Sequence, residues 1–168
     1  MTETTILGSL RRLDDDQAAL RVEDVYDTDI EDLWAAVTTP DRLARWLAEV
    51  EGDLRVGGRF VASFTSSWTG PGRIEVCDAP NRLLVTLEGE GEDEGEEKQI
   101  EAWLTSEGDK TRLVVEERGL PVEVVHFHGA GWQAHLEDLR NYLTGCGDGD
   151  WRSRWNALTP AWEAISPA

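Results

Sequence analysis

Positive charge is what this sequence has least of. Its 168 residues carry 16 Lys and Arg against 34 Asp and Glu, a formal net charge of −18. A chain this acidic is repelled by nucleic-acid phosphates and by anionic membrane surfaces, so neither is expected as a partner. The positive charge present is nearly all arginine, fourteen residues to two lysines. Composition bias and solubility account for that balance, with adaptation to high salt as the alternative. Cysteine is scarce. Cys77 and Cys146 lie far apart at no metal or redox spacing, so free thiols in a reducing, cytoplasmic setting are expected. No run approaches 18 consecutive apolar residues, which argues against a bilayer-spanning helix. The opening MTETTILGSLRR lacks a basic segment followed by an apolar one, and no signal peptide is expected.

What is present suits one domain with a single core, at 40% hydrophobic residues. Two apolar runs, 5–13 and 18–26, flank an acidic DDDQ turn and read as a hairpin. Asp27-Thr28-Asp29 can cap a helix whose stripe is Ile30, Leu33, Trp34 and Val37. Pro40 opens a second short helix with Leu43, Trp46 and Leu47 on its inner side. The periodicity then changes to two. Strands are expected at 50–56 and 59–66 about a Gly57-Gly58 turn, and at 72–79 after a turn SSWTGPG. Further strands follow at 82–88, 99–107 and 111–119. Residues 88–97, seven acids and three glycines, read as a solvated hairpin tip.

The last large element is a helix with Trp132, Leu136, Leu139 and Leu143 at steps of 4, 3 and 4, one apolar face. Gln133, Glu137, Asp138, Arg140 and Asn141 lie opposite and are expected to face water. A one-sided helix needs an apolar cover, and alternating strands need one too. A curved antiparallel sheet around this helix, closed by the two short helices, satisfies both, and it leaves an internal apolar cavity. The expected fold class is therefore α+β. Residues 1–145 form the domain. Residues 146–168 form a tail in which Trp151, Trp155, Leu158 and Trp162 again sit at helical steps; its tryptophans must dock on the domain or on a dimer partner.

Several segments together resemble a known family. Trp34 with Thr38-Thr39-Pro40-Asp41, Leu43-Ala44-Arg45-Trp46, Gly57-Gly58-Arg59-Phe60, and Gly131-Trp132-Gln133 through Leu136, Leu139 and Tyr142-Leu143 are similar to the START-like SRPBCC superfamily. Within it they resemble bacterial homologues of the activator of heat-shock-protein-ninety ATPase. The resemblance covers residues 5–145 and implies a helix-grip fold. It also implies a cavity-based function, since members include carriers of hydrophobic ligands, polyketide cyclase-type proteins and co-chaperone-like domains.

No catalytic, cofactor or metal motif stands out. No G-x-S-x-G elbow or Cys-His arrangement is readable, and RVGGRF lacks the ending of a phosphate loop. His126, His128 and His135 have no completing ligand for zinc. The cavity candidates are Trp34, Trp46, Phe60, Phe64, Trp68, Arg73, Trp103, His128, Trp132 and His135. The aromatics would supply apolar wall, Trp68 the rim. His128 or His135 would hydrogen-bond a ligand carbonyl or phenol, and Arg73, like Arg112, would reach a carboxylate or phenolate. The expected function is binding of a small hydrophobic or aromatic molecule without a cofactor, by a monomer or homodimer. One alternative is a co-chaperone-like module with a protein partner. The other is a cofactor-free cyclase or dehydratase using His128, His135 or Glu101 as acid and base.

Overall fold

The computed structural model describes residues 6–89, 97–146, 149–165 and 167. The acidic tip read at 88–97 lies mostly outside them. Strands β1 (Gly8–Arg12) and β2 (Gln17–Tyr26) pair antiparallel. The Asp14 carboxylate closes their turn by accepting from the Asp16 and Gln17 amides, both at 2.8 Å. Helix α1 (Ile30–Thr38) starts at Asp29, whose carboxylate accepts from the Asp32 amide at 2.8 Å. Because this bond satisfies a helix-end N–H, Asp29→Ala is expected to destabilise by about 1 kcal/mol, readable by urea denaturation. Proline at the first position starts α2 (Pro40–Leu43), shorter than the stripe suggests. Trp46 does not continue the helix. Its indole donates to Ala36 O at 2.9 Å and fixes the angle between the two helices. Arg42 adds a second tie, reaching Asp32 Oδ1 at 2.7 Å and Tyr142 Oη at 2.9 Å.

Six more strands follow: β3 (Ala48–Gly52), β4 (Arg59–Phe64), β5 (Thr69–Asp78), β6 (Arg82–Glu88), β7 (Glu97–Glu107) and β8 (Lys110–Pro121). The eight form one antiparallel sheet in the order β1-β2-β8-β7-β6-β5-β4-β3. Helix α3 (Val125–Thr144) lies in its concavity. From one flank, β2 reaches it through Tyr26, whose hydroxyl donates to Leu136 O at 3.0 Å. From the other, Phe64 of β4 meets His135 at 6.2 Å between ring centres. This is the helix-grip arrangement. Leu20, Leu33, Leu104, Leu113, Leu136 and Leu139 make the core. No helix among the described residues is long and apolar enough to cross a membrane.

Three further expectations change. The strand expected at 50–56 begins at Ala48 and ends at Gly52, because the chain turns from Asp53 to Gly58. Gly70-Pro71-Gly72 is not a turn but part of β5, opposite Ala62, Val61 and Phe60. Glycine is needed there because rings lie where a Cβ would stand: Trp68 Cη2 at 2.8 Å from the position at Gly70, and Phe60 Cζ at 2.6 Å from that at Gly72. Gln133 does not face water. It is 2% exposed, because a fourth helix, α4 (Trp151–Glu163), packs on that side of α3. Its carboxamide oxygen accepts from the Trp162 indole at 2.8 Å and from the Leu7 amide at 3.2 Å.

Candidate functional site

Alternation along the strands decides what faces the concavity. Phe60, Ala62 and Phe64 of β4, Ile100 and Ala102 of β7, and Leu113 and Val115 of β8 point inward. With Val37 and Leu43 from the short helices and Trp46 from the turn after them they surround an apolar inner chamber of about 130 Å³. That is close to the size of a dry cavity able to hold one benzene ring. Beyond Phe64, Leu87 and Trp132, which line both spaces, lies a second cavity of about 210 Å³, the outer slot.

The slot is built where α3, α4 and β8 meet. Helix α4 is held to α3 by its tryptophans. Trp151 Nε1 donates to Gly131 O at 3.1 Å, Trp155 Nε1 to Phe127 O at 2.9 Å, and Trp162 Nε1 to Gln133. Fixed in this way, the rings of His135, Trp151 and Trp155 stand in sequence, with centroids 5.3 and 5.7 Å apart and planes inclined by 29° and 11°. Trp132 meets His135 edge-on at 5.4 Å, and Trp68 closes on Phe64 at 5.7 Å. The walls therefore offer flat aromatic faces suited to a planar guest.

Polar groups in this wall are few. Glu117, 5% exposed, accepts from Trp132 Nε1 through Oε2 at 3.1 Å. His128 Nδ1 stands 3.0 Å from Oε1, an ion-pair distance, and no aligned hydrogen-bond donor faces that oxygen. Burial pushes the Glu117 carboxyl up, but the adjoining His128 imidazole and the Trp132 N–H outweigh it and hold it below the usual range. Burial pushes His135 down to about 3 against the opposing pull of Glu117, so its imidazole is neutral near neutral pH. Its Nδ1 lies 3.4 Å from Thr65 Oγ1. Lys98 also lines the slot, its ammonium 5.9 Å from the Trp68 ring centre.

Of the ten sequence candidates, Phe64, Trp68, His128, Trp132 and His135 line the slot, and Trp46, Phe60, Phe64 and Trp132 line the chamber. Three lie elsewhere. Trp34 packs at the margin of the core. Trp103 alternates with the inward Ala102 and so projects from the opposite face of the sheet. Arg73 alternates with inward Ile74 and pairs outside with Glu75, Glu88 and Glu97 at 2.5, 2.9 and 3.0 Å. Glu101 is likewise outside, between Arg82 and Arg118 at 2.5 and 2.9 Å, and Arg112 pairs with Glu107. The histidines do not converge: His128 and His135 line the slot, whereas His126 is not in its lining and lies tilted against Phe127, ring centres 4.1 Å apart. Glu117 and Lys98 line the slot and are not among the sequence candidates. The former shares the inward parity of Leu113 and Val115, a readable signal.

Residues 27–144 match the model of a family described as Activator of Hsp90 ATPase homolog 1-like protein. No curated protein matches the chain. Among solved structures, CalU16 from Micromonospora echinospora is 27% identical with a TM-score of 0.75, over 94% of this chain and 95% of that one. That coverage leaves too few residues unmatched for α4 to lie wholly outside the likeness. DynU16, a protein in the dynemicin biosynthetic locus, is 25% identical with a TM-score of 0.70, over 79% of this chain and 50% of that one. A conserved protein of unknown function from Enterococcus faecalis, 17% identical with a TM-score of 0.72 over 93% and 88% of the two chains, shares the fold.

Proposed function

The chain belongs to the family of Activator of Hsp90 ATPase homolog 1-like proteins, and from that premise we propose that it binds a small aromatic or hydrophobic molecule in the concavity of its sheet. One observation carries this reading: a ring-sized apolar chamber adjoins an aromatic slot through the shared residues Phe64, Leu87 and Trp132. A molecule of two or three rings has a shape that suits both spaces, and burial of its apolar area would drive binding. The standing of DynU16 in a biosynthetic locus supports a small molecule as guest. In this reading α4 is part of the binding unit, because Trp151 and Trp155 form one wall. Covering the tail does not require a second copy of the chain, since α4 buries Leu158 and Trp162 against its own domain. A cytoplasmic setting belongs to the same reading, supported by the exposed free thiols of Cys77 and Cys146.

The eight tryptophans make the test direct, since each gives one indole N–H signal in a nitrogen-15 NMR spectrum. Titration with naphthalene is expected to shift the indoles of Trp68, Trp132 and Trp151 and to leave those of Trp34 and Trp103 in place. If no indole moves, or only the last two do, the reading fails.

A further inference from the structure

Glu117 is an anion on the inner wall that the core does not need. Replacing it by an apolar side chain would match the neighbours with which it shares a sheet face, Leu113 and Val115. Instead it sits 5% exposed, with Oε2 held by the Trp132 indole and Oε1 beside His128 Nδ1 at 3.0 Å but with no aligned hydrogen-bond donor. A buried carboxylate oxygen left in that state is costly, and the cost is recovered when a donor arrives.

We infer that Glu117 Oε1 is the anchor for a hydroxyl on the ligand, so that the slot selects planar aromatic molecules that bring a neutral hydrogen-bond donor to this wall. The inference rests on the ligand-binding reading above and narrows it. Three features of the slot set the chemistry. A carbonyl or ether oxygen would place acceptor against acceptor at Oε1 and gain nothing. A cationic amine would share the slot with the Lys98 ammonium, which already sits over Trp68, and with His128, whose Nδ1 is 3.0 Å from the same oxygen. A hydroxyl avoids both conflicts. It donates to the carboxylate without adding charge, and its ring lies among Trp132, Trp151 and Phe64, which line the same cavity.

The test uses the full chain and four probes of one ring system: naphthalene, 2-naphthol, 2-methoxynaphthalene and 2-naphthylmethylamine, each followed by the indole signals and by calorimetry. 2-Naphthol is expected to bind more tightly than 2-methoxynaphthalene by on the order of tenfold or more, as suits a hydrogen bond to a buried charge. Glu117→Gln keeps the shape and can still accept from the Trp132 indole, and it is expected to remove most of that ratio. Equal binding of the alcohol and the ether by the natural protein would overturn the inference even if no variant folds, as would an unchanged ratio in E117Q. Tightest binding by the amine would overturn it in favour of a cation site. Naphthalene separates the two levels. If it shifts the slot indoles while the hydroxyl adds nothing, only the anchor is lost; if none of the four shifts them, the cavity reading falls with it.

Discussion

Truncating Trp162 to alanine is expected to lower the unfolding free energy by about 3–5 kcal/mol, the range for deleting a large buried aromatic. Trp162 is 0% exposed, although it belongs to the last helix of the chain. Its ring lies across α3 where Gly129 has no side chain: a Cβ built there would stand 2.3 Å from Trp162 Cε3. The indole N–H also satisfies the buried oxygen of Gln133, so truncation opens a cavity and weakens a buried polar contact together. A converse substitution fixes the sign. Glycine to alanine in a helix interior normally stabilises by about 1 kcal/mol. Gly129→Ala is instead expected to destabilise by about 1–3 kcal/mol, the cost of overpacking. Urea denaturation measures both. Either variant should also weaken naphthalene binding well below its unfolding transition, because Trp151 and Trp155 lose their seat with α4. A stabilised Gly129→Ala protein would show that Trp162 of α4 does not dock against Gly129 of α3.

The docking of α4 marks where the fold stops being readable from periodicity. The hairpin, α1 with its Asp29 cap, the strands from Arg82 onward and the stripe of α3 follow from spacing and caps, because each buries one face against one partner. Helix α3 buries two. Its polar character marks Gln133 for water, yet Gly129, Ala130, Gly131 and Ala134 around it are the small residues that let a second helix approach. Gly70 and Gly72 fail for a related reason. Glycine marks a turn or a close approach with equal force, and only the placing of Trp68 and Phe60 decides between them. The site was legible to the same degree. Aromatics of β4 and α3 fall where parity puts them. Arg73, Trp103 and Glu101 have the chemistry of a site, and parity sends them to the other face. Glu117 is one acid among 34, and only its parity with Val115 points it inward.

Stability should fall on mild acidification through His135. The folded protein keeps this imidazole neutral down to about pH 3, whereas the ordinary value is 6.5. Between those values the unfolded chain binds the proton and the folded one does not, so unfolding is favoured as pH falls. The slope approaches about 1.4 kcal/mol per pH unit once the pH is well below 6.5. Glu117 acts in the same direction by the opposite route. Its folded value lies below the ordinary 4.5, so its stabilisation is present above that pH and is lost as the pH falls further. The interval from pH 6.5 to 4.5 therefore belongs chiefly to His135, and a loss of about 2 kcal/mol is expected across it. Titration of the acidic surface contributes over the same range, but it is common to wild type and to His135→Phe. The comparison is therefore between the two urea-denaturation profiles: the phenylalanine variant, which keeps a ring between Trp132 and Trp151, should be flatter by that amount. Parallel profiles would mean that the imidazole takes up its proton in the folded state, in which case the slot is wetter than its aromatic walls imply and a ligand there would meet a cation at His135.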